Sequence, residues 1–381
     1  MFLHLSLNSF QYASRVLKEC RTLSELGWDK SIMVAALWEP GLEHEEQIDD
    51  GVTVWRVALK TRSWPKNLLV QTLKYLEWTY KIASRMRSKD LTVIHAHGIS
   101  TLPVGVVLKW LTGAPVIYDA HELESEIVGV STIQQKLSRW IEKLWIRGVD
   151  RTVTVSDSIA GWYADTYSME RPTVIRNVPM RSAAPVERST LLRDNHPIPN
   201  DALLYLYQGG LSPGRSIEAL IAVFAGLDAQ QHLVFMGYGV LEDDARQAAS
   251  AYPNIHFQPA VPPDRVLYYT ASADIGLCLI ENTCLSYYYS LPNKLFEYLL
   301  SGLPVMVNDM PEQRSIVERF GCGWIVPPSI DQLKALIESI DQEELEARKS
   351  GVAQAAKTLD WEHEAVSLRE LYVAVAGDKA A

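Results

Sequence analysis

The sequence predicts an α/β protein made of two doubly wound domains. Three observations carry this. Short apolar runs alternate with helical patterns along most of the 381 residues, and the alternation breaks only once, around 179–200. The composition, 48% hydrophobic and 22% charged, is that of an ordinary folded protein and excludes disordered, collagen-like and low-complexity classes.

In the first half, FLHLSL, SIMVAAL, TVWRVAL, LTVIHAHG, PVIYDAHE, RTVTVS and TVIRNVP each read as a strand. Each is followed by a polar or helical stretch, the βαβ rhythm of a parallel sheet. Around 179–200, four prolines and several charges without an apolar period read as a linker. This sets a first domain at 1–181 and a second at 182–360. LLYLYQGG, HLVFMGYG, NIHFQPA, ADIGLCLI, LPVMVND and CGWIVP then restart the rhythm. Ligands of doubly wound sheets bind beyond the carboxyl ends of the strands, so residues there are the candidates for function.

Charge narrows the partners. The net charge is −10; residues 1–180 hold 21 Lys and Arg against 20 Asp and Glu, and residues 181–381 hold 15 against 26. The second half, at −11, is unsuited to nucleic acid. Cys20, Cys278, Cys284 and Cys322 show no CxxC or finger spacing, which fits a reduced, cytoplasmic compartment. No apolar run approaches 18 residues and the start lacks a charged, then apolar, leader pattern, so neither a spanning helix nor a cleaved signal is expected.

Two strand ends in the second half carry glycines. Gln208-Gly209-Gly210-Leu211-Ser212-Pro213-Gly214-Arg215-Ser216 precedes an apolar helix, and Met236-Gly237-Tyr238-Gly239 follows the next strand. Glycines let backbone approach an anion, a helix N-terminus offers free N–H groups, and Arg215 adds a fork of donors, so the segment suits a diphosphate. A plain strand-to-helix turn is the alternative. A third element, Ser290 to Tyr298, predicts a helix with Ser290 as cap and Pro292 in the first turn. Lys294 then opposes the helix dipole and calls for an anion. Glu297, among Leu295, Phe296, Leu299 and Leu300, needs hydrogen-bond donors such as ribose hydroxyls.

The ordered set GGLSPGRSIEALIAVF, LVFMGYGVLED, NIHFQPAVPPDRVLYYTASADIGL and LPNKLFEYLLSGLPVMV resembles the donor half of a glycosyltransferase family 4 enzyme of the GT-B fold. SRVLKECRTLSELGW, VIHAHGISTLPVGVVLKWLTGAPVIYDAHE and VTVSDSIAGWY in the first half agree with it, as does Trp361-Glu362. The resemblance implies two Rossmann-like domains facing across a cleft, with 361–381 a helix crossing back to the first. It implies a retaining, metal-independent transfer with no cofactor and a nucleotide diphosphate sugar as donor. The acceptor would be lipid-linked or a glycan, in cell-surface polysaccharide or glycoconjugate biosynthesis.

Residue by residue, the resemblance places Arg215 on the donor diphosphate, Glu297 on the ribose and His121 near sugar and acceptor. Gly209, Gly210, Gly237, Tyr238, Tyr289, Asn293 and Lys294 complete the donor set, with His121, Arg215 and Lys294 as the catalytic residues. Two departures stand out. Gly210 occupies the position of a usual arginine, for which Lys294 compensates, and Tyr289 that of a glutamate facing sugar hydroxyls. These departures leave two alternatives open: a non-catalytic nucleotide-sugar-binding partner subunit and a sugar-nucleotide epimerase. His95-Ala96-His97 with Asp119 and His121 also has the spacing of a metal set, but the reading favours histidines that line the cleft or satisfy loop backbone.

Two helices of the first half carry basic stripes. Lys66, Lys74, Lys81, Arg85 and Lys89 share a face with Trp78, opposite a core stripe of Leu69, Leu73, Leu76, Tyr80 and Ala83. Lys136, Trp140, Lys143 and Arg147 repeat this, opposite Leu137, Ile141 and Leu144. The expectation is an outward basic face bearing a tryptophan that meets an anionic membrane, placing the protein peripherally on the inner face of the plasma membrane. A simple solvated face is the alternative.

Overall fold

A computed structural model describes all residues except 12, 29, 50, 130, 181–186, 229 and 378–381. The chain divides into two compact units, Met1–Arg176 with Glu364–Ala381, and Asn177–His363. The expected boundary between 181 and 182 lies outside the described residues.

The first unit runs β1 (Phe2–Ser6), α1 (Ser14–Ser24), β2 (Ile32–Leu37), β3 (Glu45–Asp49), β4 (Val52–Val57), α2 (Leu68–Met86), β5 (Val93–His97), α3 (Leu102–Thr112), β6 (Val116–Ala120), α4 (Thr132–Trp145), β7 (Arg151–Thr154), α5 (Asp157–Tyr167) and β8 (Thr173–Val174). Its sheet has the order β3-β4-β2-β1-β5-β6-β7-β8. All pairs are parallel except β3 with β4. β3, EEQID, is too polar to register as an apolar run. β1, β5 and β6 are buried along their whole length, as strands covered on both faces must be.

The second unit runs α6 (Leu191–Asn195), β9 (Leu203–Gly210), α7 (Ile217–Phe224), β10 (Gln231–Tyr238), α8 (Glu242–Ala251), β11 (Ile255–Pro259), α9 (Val266–Thr270), β12 (Ile275–Cys278), α10 (Leu285–Tyr288), α11 (Asn293–Leu300), β13 (Val305–Val307), α12 (Pro311–Phe320), β14 (Gly323–Ile325), α13 (Ile330–Ser339) and α14 (Gln342–Thr358). Its six strands are all parallel, in the order β11-β10-β9-β12-β13-β14. The order reverses between β9 and β12, and in the first unit between β1 and β5, which marks the switch points where such sheets take ligands. The stretch read as linker contains α6, anchored by buried Leu192. From Glu364 on, the last helix α15 (Trp361–Ala376) belongs to the first unit, where Glu364 accepts from the Arg176 amide at 2.8 Å.

Both basic helices depart from expectation. In α2, Trp78 is fully buried while Leu69 is 79% exposed, so the inward and outward faces are exchanged. Lys74 donates to the carbonyls of Arg62 and Trp64, Lys81 to that of Ala58, and Arg85 pairs with Glu45 and lies over the Trp55 ring. The indole removes more apolar area from water than any leucine of the opposite stripe, and the basic heads satisfy loop carbonyls, which fixes this rotation. In α4, Trp140 and Lys143 are exposed as expected, but Leu137 and Leu144 are exposed too, because the inward face is polar and built around buried Glu142.

Candidate functional site

In the second unit the glycine strand ends meet. Gly209 pairs in register with Gly237, and Gly210 with Tyr238. A Cβ on Gly237 would sit 1.9 Å from the Gly209 carbonyl oxygen, so only glycine permits this approach, and Gly209 itself has φ of 111°. Gly209, Gly210 and Tyr238 are exposed at the carboxyl ends of their strands.

Lys294, in the first turn of α11, runs alongside Gly209: a Cβ there would lie 3.9 Å from the lysine Cε. Its ammonium sits 3.7 Å from the centre of the Tyr207 ring, is buried, and makes no hydrogen bond. Burial, with the Arg215 charge adding to it, lowers its pKa to about 8. The Arg215 guanidinium lies over the Tyr287 ring at 4.6 Å. Glu297, one turn beyond Lys294, accepts from Gln208 Nε2 at 2.5 Å. Gln208 is itself held by Thr270 Oγ1, which donates to it at 2.6 Å, and by the Tyr298 hydroxyl, which accepts from its amide at 2.9 Å. Gln208 is the residue missed from this site; its place before the glycine pair was the available signal.

The cap differs from expectation. Pro292 is the extended residue just before α11, and the Ser290 hydroxyl makes no hydrogen bond, so Ser290 is not the cap. Asn293 opens the helix and is exposed. Tyr289 follows α10 as its C-cap, half-buried, with its ring 5.2 Å from that of Tyr288. Glu281 accepts from the Ser216 amide at 3.2 Å and ties its loop to the turn holding Arg215.

The first unit gathers a second polar cluster at its switch point. Asp119, at the end of β6, accepts from Arg15 through both oxygens, at 2.8 and 3.0 Å. The same carboxylate meets His121 Nε2 at 3.0 Å and His97 Nδ1 at 3.3 Å. Against the cost of burial, Arg15 and His121 hold its pKa well below the usual carboxylate range. The His121 side chain is 34% exposed. His95 and His97 are both buried, with His97 bonded to His4 at 2.9 Å and His95 to the Tyr372 hydroxyl at 2.9 Å. Burial lowers both, His97 to about 4, so these rings are neutral at pH 7. Glu19, fully buried, lies 3.1 Å from Arg15 without an aligned hydrogen bond, and burial raises its pKa well above normal. Burial also raises nearby Glu124 to about 7.

Donor atoms of His4, Glu19, His95 and His97, and of His97, Asp119 and His121, lie close enough to share a cation. Arg15 already places a fixed positive charge against both carboxylates. Arg15 and Glu19 escaped the sequence reading, although a charged pair four apart within the apolar stripe of Val16, Cys20 and Leu23 was visible there.

The first unit matches a family model described as a glycosyl transferase 4-like domain over residues 12–178. The second matches the C-terminal domain of glucosyltransferase 3-like proteins over 223–361. No curated protein matches the sequence. Among solved structures, sucrose-phosphate synthase from Thermosynechococcus elongatus superposes with a TM-score of 0.78 at 16% identity, covering 97% of this chain and 98% of that one. Anabaena HepE, in complex with UDP-glucose, gives 0.72 at 15% identity, covering 98% and 99%. WaaG, a glycosyltransferase involved in lipopolysaccharide biosynthesis, gives 0.67 at 15%, covering 99% and 100%. A glycosyltransferase model is matched in each half, family 4-like in the first and glucosyltransferase 3-like in the second, on two parallel sheets wound about their switch points, so the chain is a glycosyltransferase of the GT-B fold.

Proposed function

We propose that this glycosyltransferase moves a sugar, with retention and without a metal, from a nucleotide diphosphate sugar to a lipid-linked or glycan acceptor in cell-surface polysaccharide or glycoconjugate biosynthesis. It would act in the cytoplasm, at the inner face of the membrane. The observation that carries the donor assignment is the Lys294 ammonium, buried beside Gly209 and bonded to nothing. Such a group is costly unless an anion answers it, and a diphosphate beyond the glycine strand ends supplies one. Glu297, oriented by Gln208, would take the ribose hydroxyls.

In the reaction the bond from the anomeric carbon to the diphosphate breaks and one to the acceptor oxygen forms. The acceptor proton passes to the departing phosphate. Negative charge grows on the leaving group, so Arg215 and Lys294 stabilise the transition state without reorganising. His121, oriented by Asp119, would position sugar or acceptor hydroxyls. Tyr289 offers one hydroxyl where a glutamate would accept two hydrogen bonds, which suits a deoxy or acetamido sugar.

HepE in complex with UDP-glucose makes UDP the first probe. Calorimetric titration of UDP and GDP, followed by product analysis with a panel of their sugars in EDTA, tests the reading. One nucleotide should bind, lose at least tenfold in affinity in Lys294→Met, and yield a product of retained configuration. Binding without transfer to any acceptor would favour the partner-subunit reading, and no binding at all would sink the donor site.

A further inference from the structure

Helix α4 is built inside out. Its inward face is polar and bonded: Glu142 accepts from the hydroxyls of Tyr118 at 2.6 Å, Tyr163 at 2.5 Å and Tyr167 at 2.6 Å, while Gln135 and Arg139 both reach Glu126. Its outward face carries Ile133, Leu137, Trp140 and Leu144 at helical spacing, 52–80% exposed. α2 does the same with Leu69, Leu73, Leu76 and Tyr80, 48–79% exposed. α3 packs against both helices and ends on exposed Trp110 and Leu111. Scattered exposed leucines are normal, but stripes at helical spacing on two helices that both pack on α3 form a built surface.

The exposed charges on these helices are basic, with Asp90 beyond α2 and Asp150 beyond α4 the nearest acids in sequence. Lys136, Lys143 and Arg147 are exposed on and just after α4, and Lys66 and Arg87 at the ends of α2. The acids of these helices are committed elsewhere: Glu142 to the three tyrosines, Glu77 to Lys81 and to the amides of Lys60 and Thr61. Apolar stripes with tryptophan and tyrosine and a mostly basic rim match the interface of an anionic bilayer.

We propose that the outward face of α2, α3 and α4 docks on anionic lipid, with the leucines entering the acyl boundary and the rim lysines meeting phosphate head groups. This deepens the lipid-linked acceptor reading above and rests on it for its purpose. It differs from attachment by the basic stripe of α2, since Lys74, Lys81 and Arg85 are engaged by the protein itself.

Vesicle flotation tests it, with phosphatidylcholine alone or mixed with phosphatidylglycerol. The wild type should float with the anionic vesicles and keep part of its binding at about 1 M salt, where the Debye length is about 3 Å. The quadruple variant Leu73→Gln, Leu76→Gln, Leu137→Gln, Leu144→Gln should bind at least tenfold more weakly. Its melting temperature and its calorimetric affinity for UDP should be unchanged, since these side chains are exposed and the nucleotide residues lie in the other unit. Lys136→Glu with Lys143→Glu should cost several-fold at low salt only. Absence of wild-type flotation overturns the proposal, as does binding that salt abolishes and the leucine changes leave intact. A solution dimer that the leucine changes dissociate would also overturn it, by showing a second copy on this face. Because UDP binding is read separately, failure here leaves the donor site standing, and its loss in the wild type alone would count against that site.

Discussion

Lys294→Met should make the empty protein more stable and the nucleotide weaker. Lowering the lysine pKa from 10.5 to about 8 corresponds to on the order of 3 kcal/mol of destabilisation when the amine is protonated. The Tyr207 face returns about 1 kcal/mol of that, leaving a net gain of about 2 kcal/mol for an uncharged side chain of similar length at pH 7. The pH dependence follows from the sign of the shift. Below pH 8 folded and unfolded chains both hold the proton and the penalty is complete. Between about 8 and 10.5 the folded chain has released it while the unfolded chain has not, so wild-type stability rises with pH and the variant's advantage closes. Losing a charge-assisted contact should meanwhile weaken UDP by about 2 kcal/mol, or about thirtyfold. Urea unfolding at pH 7 and pH 9.5, with UDP calorimetry on both proteins, measures each quantity. A variant less stable than wild type at pH 7, with unchanged UDP affinity, refutes the reasoning.

Arg215→Ala should lower turnover by about two to three orders of magnitude with a smaller change in KM, and Arg215→Lys should recover part of it; turnover of the alanine variant within threefold of wild type contradicts this. Asp119→Asn leaves buried Arg15 without its bidentate partner and should cost about 3–5 kcal/mol, read by denaturant unfolding at pH 7. Asp119 is held low, so its contribution is present above the ordinary carboxylate range and lost as pH falls through the folded pKa; the gap between wild type and variant should therefore narrow in acid. A gap that widens on acidification would be incompatible with an ionised Asp119. Gly237→Ala should destabilise by several kcal/mol because the Gly209 backbone blocks the new methyl, whereas Gly210→Ala, with nothing within 4 Å, should stay within about 0.5 kcal/mol; equal effects would show that the strand ends are not packed as described.

The strand-helix rhythm was legible because strands covered on both faces are buried along their length and rich in apolar residues, as β1, β5 and β6 are. The glycine pair was legible because turn chemistry is local, and so was the helix carrying Lys294 and Glu297, although its start lies at Asn293 and not after a Ser290 cap. Which face of α2 and α4 turns inward was not. A helical pattern shows that two faces differ, and the inward one is ordinarily the apolar one. In α4 that rule inverts because Tyr118, Tyr163 and Tyr167, from β6 and α5, converge on Glu142. No neighbour in sequence announces this. That His4, Arg15 and Glu19 join His97 and Asp119 was hidden for the same reason, since β1, α1, β5 and β6 meet only through the sheet order.

The first unit closes on a segment that is translated after the whole second unit. Tyr372 donates to or accepts from His95 at 2.9 Å and meets His4 at 3.3 Å, and its ring packs edge-on to Phe2 at 5.2 Å. Until α15 arrives, the imidazoles of β1 and β5 have no lid and the surrounding apolar surface is uncovered. Synthesis thus yields a sequence-contiguous second unit that can condense early, and an older first unit that waits, incomplete, for its seal. A ribosome-bound chain truncated before Glu364 should for that reason be the species that chaperones and proteases meet.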